Sequence, residues 1–182
     1  KSINNLKARN IFKTVETEVI EGSKPELKLV KVEVEEKPTG EIFAGAGTGT
    51  SGSTISTGIK EKNYMGKGIN LDTVLTLSND EIKGKFSVVN PNFRNSNRSL
   101  NTTIESTTSD FMTASGYRTT RTGLKLGTGF EQYNDLFVNF DISNYYEKLE
   151  TSAKASAIKQ KQEGEYFENL MTYAITLNKL NQ

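Results

Sequence analysis

Cysteine and histidine are both absent from the 182 residues, and together these absences remove much of the usual site chemistry. Without cysteine there is no disulfide, no thiolate metal site and no thiol nucleophile, and the compartment is left open. Without histidine as well, the common zinc sites and Ser-His catalysis are unavailable. An excess of one charge is also lacking, since 23 Lys and Arg stand interspersed with 22 Asp and Glu for a formal net charge of +1. That balance gives neither a nucleic-acid footprint nor a polybasic membrane patch, so no nucleic-acid partner is expected. No window approaches the roughly 20 consecutive apolar residues of a transmembrane helix. A membrane role must therefore use strands. Lys1 is followed by no charged leader and no apolar h-region, and we expect both ends to have been cut.

The hydrophobic fraction is 34%, with Thr, Ser, Asn and Gly abundant. Such a mix belongs either to a disordered chain or to sheets with a polar face, and periodicity favours the sheets. Ile3 and Leu6 at helical spacing, followed by Lys7 and Arg9, read as the tail of an amphipathic helix over residues 2–10. Phe12, Val15, Val19 and Ile20 form a strand, Gly22, Ser23, Lys24 and Pro25 a turn, and Leu27, Leu29, Val30, Val32 and Val34 a second strand. Helix, strand, turn, strand is the back half of a small α+β module. Pro38 cannot donate to a sheet and pushes Lys37 out of helical geometry, so it marks a boundary.

Beyond it the reading is mainly β, with about eight successive antiparallel strands in a meander. They are centred near Ala44, Thr57, Thr73, Lys85, Thr102, Lys125, Asn139 and Tyr173, each with one greasy and one polar face. Each is read at the roughly 9 to 11 residues that cross a bilayer at a tilt. Short turns fall at residues 64–68, 90–97 and 130–134. Longer loops fall at 107–117 and 147–164, with a short helical turn expected within 153–162. Tyr64, Phe93, Phe130 and Tyr133 gather at one end, and Tyr145, Tyr146, Tyr166 and Phe167 at the other. This is the layout of an outer-membrane β-barrel with aromatic girdles. A soluble sandwich or lipocalin-like barrel, and with it a soluble binding module, shares the alternation and stays an alternative; strand length and the lack of the continuous buried runs usual in a sandwich core count against it.

The first of these strands is poor in side chains. Ile42, Ala44, Ala46 and Thr48 alternate with Phe43, Gly45, Gly47 and Gly49, and a glycine-rich strand is expected to pair weakly. A barrel abolishes sheet edges only if its first and last strands pair firmly. A weak seam exposes backbone groups to which an incoming strand could add. The plain alternative is that the glycines accommodate curvature or close packing.

Residues 36–41 leading into Gly45-Ala46-Gly47, the run Glu61-Lys62-Asn63-Tyr64-Met65-Gly66-Lys67-Gly68, and Asn90-Pro91-Asn92-Phe93 resemble in order and spacing the BamA family of bacterial outer-membrane protein assembly factors. The resemblance implies that residues 1–37 are the C-terminal part of the last periplasmic POTRA domain. Residues 38–182 would then be the N-terminal half of a sixteen-stranded barrel, a partial barrel preceded by a partial α+β module. It implies a POTRA–barrel junction at Lys37, Pro38, Thr39 and Gly40. It further implies a lateral gate that pairs with client strands through Glu41, Ile42, Phe43, Ala44, Gly45, Ala46, Gly47, Thr48 and Gly49. The implied function is insertion of β-barrel proteins into the bacterial outer membrane, with the N-terminal segment in the periplasm. The implied partners are nascent outer-membrane β-barrel proteins, accessory assembly lipoproteins and outer-membrane lipid. The family's Val-Arg-Gly-Phe loop motif and closing strand are not in this stretch. A related translocation and assembly factor, a two-partner secretion transporter or a passive porin-like barrel are the alternatives.

Enzyme readings fare poorly. Asp135 and Asp141 share a strand face, but general acid–base work needs a shifted pKa in a cleft. Gly45-Ala46-Gly47-Thr48-Gly49 is not followed by the Gly-Lys-Ser/Thr of a phosphate loop. No catalytic residue, cofactor or metal is expected. Glu61, Lys62 and Lys67 are read as solvated turn charges.

Overall fold

A computed structural model of the chain describes residue 7 and residues 10–24, 26–49 and 52–179; the helix expected over residues 2–10 falls almost wholly outside them. Strands β1 (Phe12–Glu21) and β2 (Lys28–Glu36) form a two-stranded antiparallel sheet. Its register pairs Val15 with Val34, Thr17 with Val32 and Val19 with Val30, so period-2 alternation gathers the valines on one face. Glu16 opposite Glu33 and Glu18 opposite Lys31 occupy the other.

Eight further strands make one antiparallel sheet in strict sequence order: β3 (Gly40–Gly49), β4 (Gly52–Tyr64), β5 (Ile69–Ser78), β6 (Glu81–Asn90), β7 (Arg98–Phe111), β8 (Tyr117–Tyr133), β9 (Leu136–Thr151) and β10 (Gly164–Leu177). The expected number of strands and their meander order are both present. The sheet is open: among the described residues β3 pairs only with β4 and β10 only with β9. Two short helices, α1 (Met112–Ser115) and α2 (Ala157–Lys161), sit in connections at one end. A single 3₁₀ turn, Phe93–Asn95, sits at the other.

Register carries the alternation across the whole sheet. Ile42, Ile59, Thr73, Phe86, Ile104, Leu124 and Asn144 lie in one cross-strand row, on the face that also holds Ile82, Leu126, Ile142, Met171 and Ile175. The opposite face carries Asp72, Lys85, Glu105, Lys125 and Asp141. Ile11, Leu149 and Ala155 are the only buried hydrophobic residues among those described, whereas Ile42, Met171 and Tyr173 are 75–80% exposed. A soluble domain of this size does not leave its main apolar face bare. Lipid outside and a polar lumen inside account for both faces. From Leu136 to Tyr146 the outward face of β9 runs about 33 Å at about 3.3 Å per residue, or about 25 Å of height at a tilt of about 40°. The apolar band closes upward on Tyr146 and Phe167, whose ring centroids are 5.1 Å apart.

Two expectations are corrected. Strands β7, β8, β9 and β10 run to 14, 17, 16 and 14 residues, longer than a bilayer crossing, and the loops expected over residues 107–117 and 147–164 shrink accordingly. One face of the extra length of β7 and β8 is polar and is held by hydroxyl and charge pairs, Ser106 with Thr122 at 2.8 Å, Thr108 with Thr120 at 3.3 Å, and Asp110 with Arg118, while the other carries Phe111 against Tyr117. Such pairs stabilise a sheet without leaving a hydrophobic period. The turn expected over 130–134 also moves, because β8 continues through a bulge between Glu131 and Tyr133. The chain reverses at Asn134 and Asp135, with Asp135 at a φ of 64°. The helical turn expected within 153–162 is present as α2, capped by Ser156 Oγ accepting from the Lys159 N–H.

Candidate functional site: the edge strand and its base

All nine residues expected to pair with an incoming strand lie consecutively in β3. Its outward face carries Ile42, Ala44, Ala46 and Thr48, and its lumen face Glu41, Phe43, Gly45, Gly47 and Gly49. On β4 the residues opposite Gly45, Gly47 and Gly49 are Ser56, Thr54 and Gly52, all small. A Cβ built at Gly45, Gly47 or Gly49 meets no atom within 4 Å. These glycines are not making room for a packed neighbour. Among the described residues the lumen side of β3 from Gly45 to Gly49 is bare backbone.

The lower end of β3 differs. The Phe43 ring lies over Gly58, where a Cβ would come within 2.6 Å of it. Lys60 Nζ stands 5.1 Å from the ring centroid, and Thr57 Oγ1 donates to the Phe43 carbonyl at 3.0 Å. Glycine at position 58 therefore supplies a socket for the one aromatic lumen-facing side chain of the edge strand.

Below Phe43 the expected junction residues Lys37, Pro38 and Thr39 lie outside regular structure, and Gly40 is the first residue of β3. The Lys37 N–H donates to the Ile11 carbonyl at 3.2 Å, and Lys37 Nζ donates to Asn10 Oδ1 at 2.6 Å, tying the junction back to the hairpin. Glu61, opposite Gly40, is not the solvated charge expected. Its Oε1 accepts from the Thr39 hydroxyl and, at 2.6 Å, from the Asn63 N–H. The β4–β5 pairing is interrupted between Glu61 and Tyr64, so the carboxylate serves backbone that the sheet leaves unpaired. Asn63 Oδ1 in turn accepts from the buried Gly68 N–H at 2.7 Å, closing the first turn.

Sequence reasoning missed Gly58, Lys60 and Glu61. The available signal was Glu61-x-Asn63 at a strand end, a carboxylate placed to reach an N–H two residues on, directly before the turn residues Met65, Gly66 and Gly68 with positive φ.

Two comparisons bear on what this arrangement belongs to. A family model described as the Omp85 superfamily domain matches residues 63–182. Among solved structures the chain is similar to BamA from Haemophilus ducreyi lacking POTRA domains 1–3, with a TM-score of 0.72 and 19% identity. The match covers 100% of this chain and 38% of that one, so the chain spans well under half the length of that relative.

Proposed function

Because this chain belongs to the Omp85 superfamily, we propose that it is the seam-forming half of an outer-membrane barrel that assembles or translocates other proteins, with β3 as lateral gate and template for client strands. The carrying observation is a strand at the edge of the described sheet, where a Cβ built at Gly45, Gly47 or Gly49 meets no described atom within 4 Å. In lipid each unpaired backbone group costs several kcal/mol. An unfolded client strand arriving at β3 gains hydrogen bonds for both edges, and β3 has no large lumen-facing side chains above its base to obstruct it. Residues 1–37 are the end of a POTRA module in the periplasm, and residues 38–182 the first half of the barrel. The partners are nascent outer-membrane β-barrel proteins, accessory assembly lipoproteins on the periplasmic side, and outer-membrane lipid. The protein acts through strand pairing and not as an enzyme.

Proline substitution tests this in the full-length protein. N–H groups of successive strand residues point to opposite edges, so of Ala46→Pro and Gly47→Pro one removes a donor from the free edge and the other breaks the pairing with β4. The free-edge variant is expected to keep a folded barrel and lose client insertion into liposomes. Normal insertion by both variants, each with a folded barrel, rules out templating by β3.

A further inference from the structure

We propose that Glu61 is the positioning residue for the gate strand: its carboxylate clamps the base of β3 to the first turn and, through Thr39 and Lys37, to the N-terminal hairpin. The gating part of this inference rests on the function proposed above; the clamp itself does not.

Four observations converge on that carboxylate. Register sets Glu61 opposite Gly40, the first residue of the gate strand. A side chain at Gly40 would crowd it, since a Cβ there lies 2.9 Å from Glu61 Oε2. Glu61 Oε1 takes two donors from different segments, the Thr39 hydroxyl of the junction and the Asn63 N–H of the turn. Among the described residues no cation pairs with Glu61, although Lys60 and Lys62 flank it in sequence. Its partners are thus donors of fixed geometry, which hold position better than a mobile ammonium does.

The hydrogen bonds form one continuous route from the hairpin to the turn. Asn10 and Ile11 accept from Lys37, Pro38 follows with its φ fixed, Thr39 donates to Glu61, and Glu61 accepts from Asn63, whose side chain accepts from Gly68. Just above, Phe43 is seated over Gly58. β3 is therefore fixed at Gly40 and Phe43 and free on its lumen face from Gly45 to Gly49. Along its whole length β3 pairs with β4, from Gly40 opposite Glu61 to Gly49 opposite Gly52, so the two strands form one hairpin. A turn of the N-terminal hairpin reaches β3 through Thr39, and the clamp determines how much of that turn is passed on.

The test uses the full-length protein in liposomes, with spin labels on the hairpin at Glu18→Cys and on the periplasmic turn at Asn134→Cys. The label-to-label distance distribution is narrow with Glu61 and broadens in Glu61→Ala, and client insertion falls about fivefold, the low end of typical coupling between two sites. Glu61→Gln keeps an oxygen that accepts from Thr39 and Asn63 and restores both readouts, which a general loss of stability does not. Should Glu61→Ala fail to fold, Thr39→Val removes one donor and gives the same broadening. An unchanged distribution in the folded variant, or no rescue by Gln, overturns the clamp. If the unsubstituted protein inserts no client while the distances respond as described, the gate reading falls and the clamp stands.

Discussion

Strands β3 and β8 are both rich in lumen-facing glycine, and the same residue does opposite things in them. Gly123, Gly127 and Gly129 of β8 are buried, each beneath a side chain of the facing residue on β9. A Cβ at Gly123 would lie 2.2 Å from the Tyr145 ring, at Gly127 2.0 Å from Asp141 Oδ1, and at Gly129 2.3 Å from Asn139 Oδ1. Seated there, Tyr145 donates to Glu105 Oε1 at 3.2 Å and carries the Arg121 guanidinium 3.9 Å from its ring centroid. Arg121 in turn reaches Glu147, 3.9 Å away, and Glu168, so one socket knits β7, β8, β9 and β10 together. Gly45, Gly47 and Gly49 of β3 are exposed and receive nothing. Glycine therefore seats a large neighbour in β8, whereas in β3 it leaves the lumen face unpacked among the described residues.

The largest effect should come from filling a β8 socket. Gly123→Leu displaces Tyr145 and its network, and overpacking of this kind costs about 1–3 kcal/mol. The urea midpoint of the full-length barrel should drop accordingly. Gly47→Leu, on the bare face of β3, should leave the midpoint unchanged or raise it slightly, since replacing a strand glycine relieves about 0.5–1 kcal/mol of backbone entropy, while it still slows client insertion. Equal loss of stability in the two variants would erase the distinction between the strands.

A smaller effect is expected from Phe43→Ala, which turns the one filled socket at the base of β3 into another vacant one. Phe43 is only half-buried, so the loss should be about 1–2 kcal/mol, below the usual range for a core Phe. Hydrogen exchange is the sharper measurement: amides of β3 should exchange faster while those of β8 and β9 keep their protection.

Alternation made the eight strands legible in the sequence, because one lipid face and one watery face impose period 2 from Ile42 to Leu177. The vacancy of the β3 glycines was half legible. The residues could be read, but whether a glycine is a socket or a gap depends on what stands across from it. Ser56 and Tyr145 become neighbours of Gly45 and Gly123 only through register. Strand ends beyond the membrane were not legible, since Thr, Ser and charged pairs stabilise β7 and β8 without any apolar period. Glu61 was misread for a related reason. A charged side chain in a Lys-rich turn looks solvated until the junction residue Thr39 is folded against it.

The smallest effect separates the two ends of the molecule by the kind of partner each carboxylate has. Asp110, at the outer end of β7 above the aromatic row, is held below its ordinary pKa by hydrogen bonds from Arg118 first and then by the Met112 N–H. A carboxyl lowered in the folded state contributes stability above its unfolded pKa of about 3.9, and that stability is lost as pH falls through the folded value. Glu61 is held instead by neutral donors, the Thr39 hydroxyl and the Asn63 N–H. Asp110→Asn should therefore lose less stability than the parent protein between neutral pH and about pH 3, whereas Glu61→Gln, which exchanges a charged acceptor for a neutral one, should be slightly less stable than the parent at neutral pH. The two should part on adding salt. The Asp110–Arg118 pair is exposed and will be screened at about 1 M, where the Debye length is about 3 Å, so the difference between Asp110→Asn and its parent should largely vanish. Hydrogen bonds from neutral donors are not screened in this way, and the difference for Glu61→Gln should persist. Urea midpoints at the two pH values, with and without salt, measure this; a Glu61 difference that disappears with salt would mean that the base of β3 is held by charge and not by fixed donors.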